Sequence, residues 1–164
     1  MLNLKSLLML ILISGGLCLT TFAQKQLPEL KKLSKGADVI LTGKVTKQNS
    51  NWNENKTRIF TKATLQVDEY LKGINGGNSI EVIYPGGEVG EVGELYTHMP
   101  RFANNEEVLV FLKKDTKDKG YKVLNGEDGK ITLIKDVKTG EKTTSSNVKV
   151  SYLKAQIKSY LSGK

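Results

Sequence analysis

The stretch Thr57–Leu71 reads TRIFTKATLQVDEYL, and it limits the possible folds more than any other part of the chain. Its side chains change character with a period of two, which places one set on each face of a strand. One set is Ile59, Thr61, Ala63, Leu65 and Val67, and the other is Phe60, Lys62, Thr64, Gln66 and Asp68. A half-buried strand of this length spans two sheet surfaces or coils strongly, so the chain is predicted to be mainly β.

The remaining strands are predicted from short apolar or alternating runs bounded by turn residues. They are Asp38–Lys47, Ser79–Tyr84, Glu106–Leu112, and a hairpin of Tyr121–Leu124 and Lys130–Ile134. Gly43 lies in the middle of the first strand and indicates a bend, a bulge or a close approach by another backbone. Every residue of Val108–Leu112 is apolar. This run predicts a strand with both faces covered.

Two helices are predicted, one at each end of the domain. Leucines at helical spacing indicate a short helix within residues 25–37 that ends near Ser34–Gly36, and Val148–Leu161 carries an apolar stripe typical of an amphipathic helix. Gln48–Lys56 is predicted to be a polar loop and residues 136–147 a loose excursion. Trp52, within the polar loop, either forms a binding surface or folds back over the mouth of the sheet.

The N-terminus has the features of a leader for export. A lysine at position 5 precedes an apolar run, and small residues at Thr21 and Ala23 predict cleavage after Ala23. Residues 1–23 are therefore interpreted as a signal peptide and residues 24–164 as one domain, periplasmic or secreted. An uncleaved anchor and a lipidated Cys18 are the alternatives. Since Cys18 is the only cysteine, the cleaved domain could form no disulfide and use no cysteine nucleophile.

The charge of the chain favours no nucleic-acid partner. The formal net charge is +8, and it comes almost wholly from dispersed lysines, with arginine only at Arg58 and Arg101. Nucleic-acid sites usually combine clustered arginines with stacking aromatic residues. Dispersed lysine is more typical of solubility, or of loose attraction to anionic cell-surface material. No membrane span is expected once the leader is removed.

The glycine-rich stretch Pro85–Phe102, PGGEVGEVGELYTHMPRF, contains the only histidine and is the candidate binding surface. Long loops inside compact domains are usually functional. One histidine without cysteine makes a poor zinc site, so no metal and no cofactor is predicted. Gly86, Gly87, Gly90 and Gly93 are expected to permit positive φ, so that the loop folds tightly as a lid. The binding candidates are Trp52, Glu88, Glu91, Glu94, Tyr96, His98 and Arg101, and the structural glycines are Gly43, Gly86, Gly87 and Gly90.

No catalytic residues are predicted. The paired carboxylates, such as Asp68-Glu69 and Glu106-Glu107, are adjacent in sequence, so in a strand they point to opposite faces. No serine lies in a recognisable nucleophile elbow. The glycine-rich stretch lacks the Gly-Lys-Ser/Thr of a phosphate-binding loop. The chain is therefore interpreted as a protein that is not an enzyme.

Several segments together resemble a family of small exported bacterial domains, some found alongside matrixin-like zinc peptidases. They are ADVILTGKV, RIFTKATLQVDEYLKG, EVIYPGGEVGEVG, PRFANNEEVLVFL and GKITL, and the resemblance spans about residues 36–161. It implies an OB-fold barrel like that of netrin-like modules and tissue inhibitors of metalloproteinases: a five-stranded Greek-key barrel with a short N-terminal and a C-terminal helix. Those inhibitors grip zinc through an N-terminal cysteine. That mechanism is not carried over, because the cleaved chain has no cysteine.

The leading functional hypothesis is a non-catalytic exported module that binds a protein partner in or outside the cell envelope. The surface would be the Pro85–Phe102 loop together with the Trp52 loop. One alternative is a module that binds polyanions or glycans through lysines and aromatic residues, namely Trp52, Phe60, Tyr70, Tyr84 and Tyr96. Another is an accessory or inhibitor module of an exported metallopeptidase, which only the resemblance suggests.

Overall fold

The computed structural model describes residues 29–73, 77–116 and 120–163 of the chain. The chain divides into two compact units, Met1–Lys32 and Leu33–Lys164. Of the first unit, only residues 29–32 are described, and they are helical. The predicted leader, Cys18 and the cleavage site after Ala23 all lie outside the described residues.

The secondary structure is mainly β with a helix near each end. Helix α1 covers residues 29–36, so it ends where the sequence predicted, and helix α2 is Val150–Ser162. A 3-10 helix covers Gly126–Gly129. The prediction of a mainly β chain with a short N-terminal helix and a C-terminal helix is confirmed. The strands are β1 (Val39–Trp52), β2 (Ile59–Lys72), β3 (Ser79–Pro85), β4 (Gly87–Val89), β5 (Val92–Glu94), β6 (Glu107–Asp115), β7 (Gly120–Val123), β8 (Lys130–Lys135) and β9 (Lys142–Thr144).

The described residues thus contain nine strands, whereas the sequence patterns predicted six and the resemblance implied a five-stranded barrel. Seven form one sheet in the order β1-β2-β3-β7-β6-β8-β9, and β4 and β5 form a separate pair. Because β1 also pairs with β6, the pairings run from β1 through β2, β3, β7 and β6 back to β1. Strands β8 and β9 extend this sheet beyond β6. The contact between β3 and β7 is parallel, at Val82 and Tyr121, whereas the other pairings are antiparallel.

Two sequence predictions about the second half of the sheet were wrong. β7 and β8 do not form a hairpin, because each pairs with β6 on a different stretch of that strand. Between them, Asn125 and Gly126 both take positive φ and the 3-10 helix redirects the chain. The stretch predicted to be a loose excursion contributes β9, which pairs with β8 and buries Thr144. Its polar sequence carries no apolar alternation that could have revealed a strand.

The core lies on one face of β1, β2, β3, β6 and β7. Gly43 sits among the inward residues of β1, and a Cβ there would collide with the carbonyl oxygen of Gln66 on β2. The β1–β2 register shifts between Thr42 and Gly43, which confirms the predicted irregularity at this glycine. The buried cluster is Val39, Leu41, Val45, Ala63, Leu65, Ile80, Val82, Tyr84, Phe102, Val108, Val110, Leu112 and Val123.

The opposite face of β1 and β6 is buried as well. Ile40 and Thr42 of β1, and Leu109 and Phe111 of β6, are almost inaccessible to solvent. Helix α2 lies on this side, because its lysines contact Glu69, the β2 residue paired with Thr42. Both faces of β6 are therefore covered, as its uninterrupted apolar run predicted.

Candidate functional site

The glycine-rich stretch Pro85–Phe102 contains regular secondary structure and is not a loop throughout. Strand β3 ends at Pro85, and the chain then forms the β4–β5 hairpin, which turns at Gly90 and Glu91. The return segment, residues 95–102, leads back to the core, where Phe102 is buried. The glycine-rich segment does lie between β3 and the apolar strand β6, as predicted, but the sequence did not indicate a hairpin within it.

Three of the four glycines that were expected to take positive φ do so, whereas Gly93, inside β5, does not, because its backbone is that of a strand. φ is +98° at Gly86, +126° at Gly87 and +63° at Gly90. Gly87 also lies so close to β1 and β2 that a Cβ would overlap the hydroxyls of Thr61 and Ser50. At Gly90 no other atom lies within 4 Å of that position. Gly87 is therefore the point at which the hairpin and the β1–β2 pair are in closest contact.

Hydrogen bonds fix the base of the hairpin to β1 and β2. The hydroxyl of Thr61 donates to the carbonyl of Gly86 over 2.6 Å, and Thr61 Oγ1 lies 2.8 Å from Ser50 Oγ. Because a threonine hydroxyl has one proton, Ser50 must be the donor to Thr61. The amide of Gly86 donates to the carbonyl of Ile59 over 2.8 Å. The base of the hairpin is thus fixed in place.

Glu94 and Tyr96, two of the predicted binding residues, also hold the base of the hairpin, where Glu94 pairs with Gly87. Glu94 Oε2 accepts hydrogen bonds from the backbone amide of Ile59 and from the Tyr96 hydroxyl, each over 2.9 Å. The hydrogen bond to Glu94, with a smaller contribution from burial, raises the pKa of Tyr96 above its usual range. Both residues therefore help to hold the hairpin against β2, whether or not they also contact a partner.

His98 attaches the return segment to the 3-10 helix. It takes φ +60°, its carbonyl accepts the amide of Glu127 over 3.0 Å, and its Nδ1 lies 3.2 Å from Glu127 Oε1. The side chain is 85% exposed. This exposed pair therefore orients the return segment without burying the imidazole.

A groove lies between the hairpin and the return segment. It has a volume of about 750 Å³, and its floor comes from β1, β2 and the end of β3. Apolar side chains are exposed along it: Leu95 is 72% exposed and Met99 is 38% exposed, and nearby Val92 on β5 is 47% exposed. A second depression of about 520 Å³ lies beside the return segment, next to His98, Glu127 and Lys130. The groove is lined by Gln48, Ser50, Thr61, Tyr84, Pro85, Gly86, Gly87, Glu88, Gly93, Glu94, Leu95, Tyr96, Met99, Pro100, Arg101 and Phe102.

The polar groups of the groove floor are engaged with one another. The Tyr84 hydroxyl donates to Gln48 Oε1 over 2.8 Å, and Gln48 Nε2 donates to Asn104 Oδ1 over 3.2 Å. The Tyr84 ring packs at 5.5 Å from that of Phe102, and burial raises the pKa of Tyr84 above its usual range. Tyr84 is thus a core residue whose hydroxyl reaches the groove, and its ring is not free for stacking.

Trp52 lies elsewhere. β1 does not end at Lys47 but continues to Trp52, which pairs with Ile59 on β2. The predicted polar loop is therefore wrong over Gln48–Trp52, and the turn is the shorter segment that follows, closed by Asn53 Oδ1 accepting the amides of Thr57 and Arg58. Trp52 is half-buried and is not among the residues that line the groove.

The other predicted residues divide by position. Glu88 and Arg101 line the groove from its two sides, and both are exposed. Glu91 lies at the exposed turn of the hairpin. Sequence reasoning missed Leu95 and Met99, although an apolar residue next to Glu94 and another next to His98 were a usable signal. It also missed Gln48 and Ser50, because they reach the groove only through the extension of β1.

The base of the return segment is held by Glu106. Its carboxylate contacts Lys130 Nζ over 2.6 Å and accepts hydrogen bonds from Thr132 Oγ1 over 2.5 Å and from the amide of Ala103 over 2.9 Å. Both side chains of the Glu106–Lys130 pair are about one-eighth exposed, and Lys130 also lies 5.3 Å from the centre of the Phe102 ring. Burial alone would raise the pKa of Glu106, but these hydrogen bonds outweigh it and lower the pKa.

The pKa is also lowered at three further carboxylates, each of them more exposed than Glu106. A hydrogen bond from Lys113 lowers the pKa of Asp38, one from Lys154 lowers that of Glu69, and backbone amides led by Thr139 lower that of Asp136. A carboxyl whose pKa is lower in the folded than in the unfolded chain stabilises the fold above its unfolded pKa. That contribution is lost as the pH falls through the folded pKa.

We therefore expect acid to destabilise the fold. The melting temperature should be nearly constant from about pH 7 to pH 5 and fall by about 5 °C or more towards about pH 3. Exposed pairs contribute little, so Glu106 should account for the largest share. Calorimetry of Glu106→Gln should show a smaller fall over the same interval. A melting temperature that rises on acidification would contradict these directions.

Many of the lysines considered as a polyanion surface are paired with carboxylates. Lys113 contacts Asp38 over 2.7 Å, Lys149 contacts Glu141 over 3.1 Å, and Lys154 contacts Glu69 over 2.7 Å. Such pairs lower the local positive potential that a polyanion would need.

Within residues 29–73, 77–116 and 120–163, no three His, Cys, Asp or Glu side chains are grouped so that they could hold a metal ion. No helix in the same ranges has the length and apolar content needed to cross a membrane. No protein-family model matches the chain, and no curated protein sequence matches it. The functional conclusion therefore depends on the geometry of the groove.

Proposed function

We propose that this chain is a non-catalytic interaction module that binds a protein partner through the groove and the β4–β5 hairpin. The observation that carries the proposal is the contrast between its apolar and polar groups. Leu95 and Met99 expose apolar surface along the groove, whereas Gln48, Ser50 and Tyr84 already use their polar atoms within the molecule. Exposed apolar surface beside polar residues is typical of protein-binding sites.

We further infer that β1, β2, β3, β7 and β6 form the five-stranded Greek-key barrel of an OB-like domain. The support is the circuit of pairings among these strands, together with the parallel contact between β3 and β7. OB-like barrels bind their ligands over the second and third strands and the adjoining loops. The groove lies over the ends of β2 and β3, which agrees with that use. The resemblance to exported inhibitor-like domains is part of this proposal, as are cleavage after Ala23 and export to the periplasm or beyond.

The chemistry of the groove favours binding over catalysis. The hydroxyls of Tyr84 and Tyr96 already donate hydrogen bonds to Gln48 and Glu94 within the molecule. Ser50 donates its proton to Thr61, and Glu94 already accepts two hydrogen bonds on one oxygen. A glycan platform is not favoured, because the Tyr84 ring packs in the core. If the partner is an exported peptidase, the inhibitor hypothesis becomes a special case of this proposal.

Site-directed crosslinking tests the proposal. A photocrosslinking amino acid in place of Leu95 should capture one predominant protein in living cells, because position 95 is exposed beside the groove. The same amino acid in place of Val137, which is 99% exposed on the β8–β9 turn, is the matched control and should capture none. The position-95 product should fall by about tenfold in Met99→Gln, which removes apolar contact area but leaves the core intact. Equal products at positions 95 and 137 would contradict a binding site in the groove.

A further inference from the structure

We infer that the groove binds an extended segment of the partner that carries basic side chains next to apolar ones. The inference rests on the proposed function, since it assumes that the partner is a protein. It names the chemistry of the part of the partner that enters the groove. Three features lead to it: the charge of the hairpin, its free strand edge, and the exposed apolar residues of the return segment.

The hairpin is acidic on a chain that is otherwise basic. From Pro85 to Pro100 the sequence contains three glutamates and neither lysine nor arginine, although the chain has a formal net charge of +8. The side chains of Glu88 and Glu91 are exposed and make no hydrogen bond or ion pair within the described parts of the chain. Both carboxylates are therefore available to a cation. Because the chain as a whole has a net positive charge, a basic segment is attracted to these two carboxylates more than to the chain at large.

The hairpin also offers a free edge to an extended chain. β4 and β5 form a two-stranded sheet, so β5 has no neighbour on its outer side among the described strands. β4 is held over β1 and β2 through Gly86 and Gly87, which leaves β5 as the accessible edge. An extended segment that pairs with β5 would satisfy its backbone N–H and C=O groups, as in other cases of strand addition. The free edge of β5 is therefore the reason to expect an extended segment.

The exposed apolar residues and the exposed glutamates could each contact every second side chain of such a segment. A strand directs successive side chains to opposite faces. Apolar side chains on one face would cover Leu95 and Met99, and basic side chains on the other would meet Glu88 and Glu91. Arg101, on the opposite side of the groove, is exposed and repels a basic side chain there. The segment therefore has a preferred orientation, with its basic residues on the hairpin side.

Two short fluorescent peptides test this inference by polarisation. One alternates lysine with leucine, and the other has glutamate in place of each lysine. The full chain should bind the lysine peptide at least about tenfold more tightly than the glutamate peptide. The net positive charge of the chain by itself would favour the glutamate peptide. Glu88→Lys/Glu91→Lys should remove the preference for the lysine peptide.

The matched control is Glu54→Lys/Glu81→Lys, which changes the net charge equally at exposed acids outside the groove. It should weaken lysine-peptide binding by no more than about twofold. Equal losses in the two double variants, or equal binding of the two peptides, would overturn the inference. So would self-association of the chain that the Glu88/Glu91 reversal abolishes, because the occupant would then be a second copy. If crosslinking from position 95 persists unchanged in Glu88→Lys/Glu91→Lys, the proposed function stands and the basic-segment inference fails.

Discussion

Gly87→Ala is expected to lower the free energy of unfolding by about 4 kcal/mol. Two physical effects add at this position. φ is +126°, a conformation that only glycine adopts readily, and a Cβ would overlap the hydroxyls of Thr61 and Ser50. To make room, the hairpin must move off β1 and β2. That movement breaks the 2.6 Å hydrogen bond from Thr61 to the Gly86 carbonyl.

Gly90→Ala is the matched control for that substitution. Gly90 also has positive φ, at +63°, but nothing lies within 4 Å of where its Cβ would be. It should therefore cost only about 1 kcal/mol, the penalty of a left-handed backbone. Urea unfolding measures both variants, and a lower midpoint with an unchanged slope identifies a true loss of stability. Equal losses at positions 87 and 90 would show that the close packing of the hairpin contributes nothing.

Glu106→Ala is expected to cost about 3 to 5 kcal/mol. The substitution leaves Lys130 largely buried without its carboxylate, and it also removes the acceptor of the Thr132 hydroxyl and of the Ala103 amide. An unpaired buried charge is much more costly than the net contribution of the pair that it came from. The return segment should loosen where it joins β6, since the Ala103 amide loses its partner.

The double variant Glu106→Leu/Lys130→Met separates loss of the pair from creation of an unpaired charge. It removes both charges and keeps similar volume, so it should recover most of the stability lost in Glu106→Ala. Chemical denaturation of Glu106→Leu, Lys130→Met and the double variant gives the coupling energy. A double variant that is no more stable than Glu106→Ala would show that the hydrogen bonds to Ala103 and Thr132, and not the buried charge, account for the loss.

Strand positions were predictable where one face of the strand is apolar and the other polar. The alternation over residues 57–71 matches β2, and the uninterrupted apolar run in β6 matches a strand covered on both faces. The extension of β1 to Trp52 was not predictable, because Gln48–Trp52 is polar and is held by pairing with β2. For the same reason β9 was missed. In both cases the strand is specified by a neighbour distant in sequence.

In the site, too, features that depend on one residue were predictable, and features that depend on contacts between distant residues were not. Positive φ at Gly86, Gly87 and Gly90 was expected from residue type alone, because glycine tolerates that backbone. The roles of Glu94 and His98 were not, since their partners Ile59 and Glu127 lie far away in the sequence. Trp52 was chosen as the one large residue in a polar stretch, and the structure places it outside the groove.

The amino-acid sequence therefore determined the elements of this protein whose causes are local: the alternating and apolar strands, the amphipathic α2, and the positive-φ glycines of the hairpin. Each follows from side-chain period or from the steric freedom of one residue. The tertiary structure alone decided which strands pair, that β7 and β8 both join β6, and that the glycine-rich stretch forms a hairpin anchored on Thr61 and Glu94. These features depend on hydrogen bonds and close contacts between distant residues, which leave no periodic pattern in the chain.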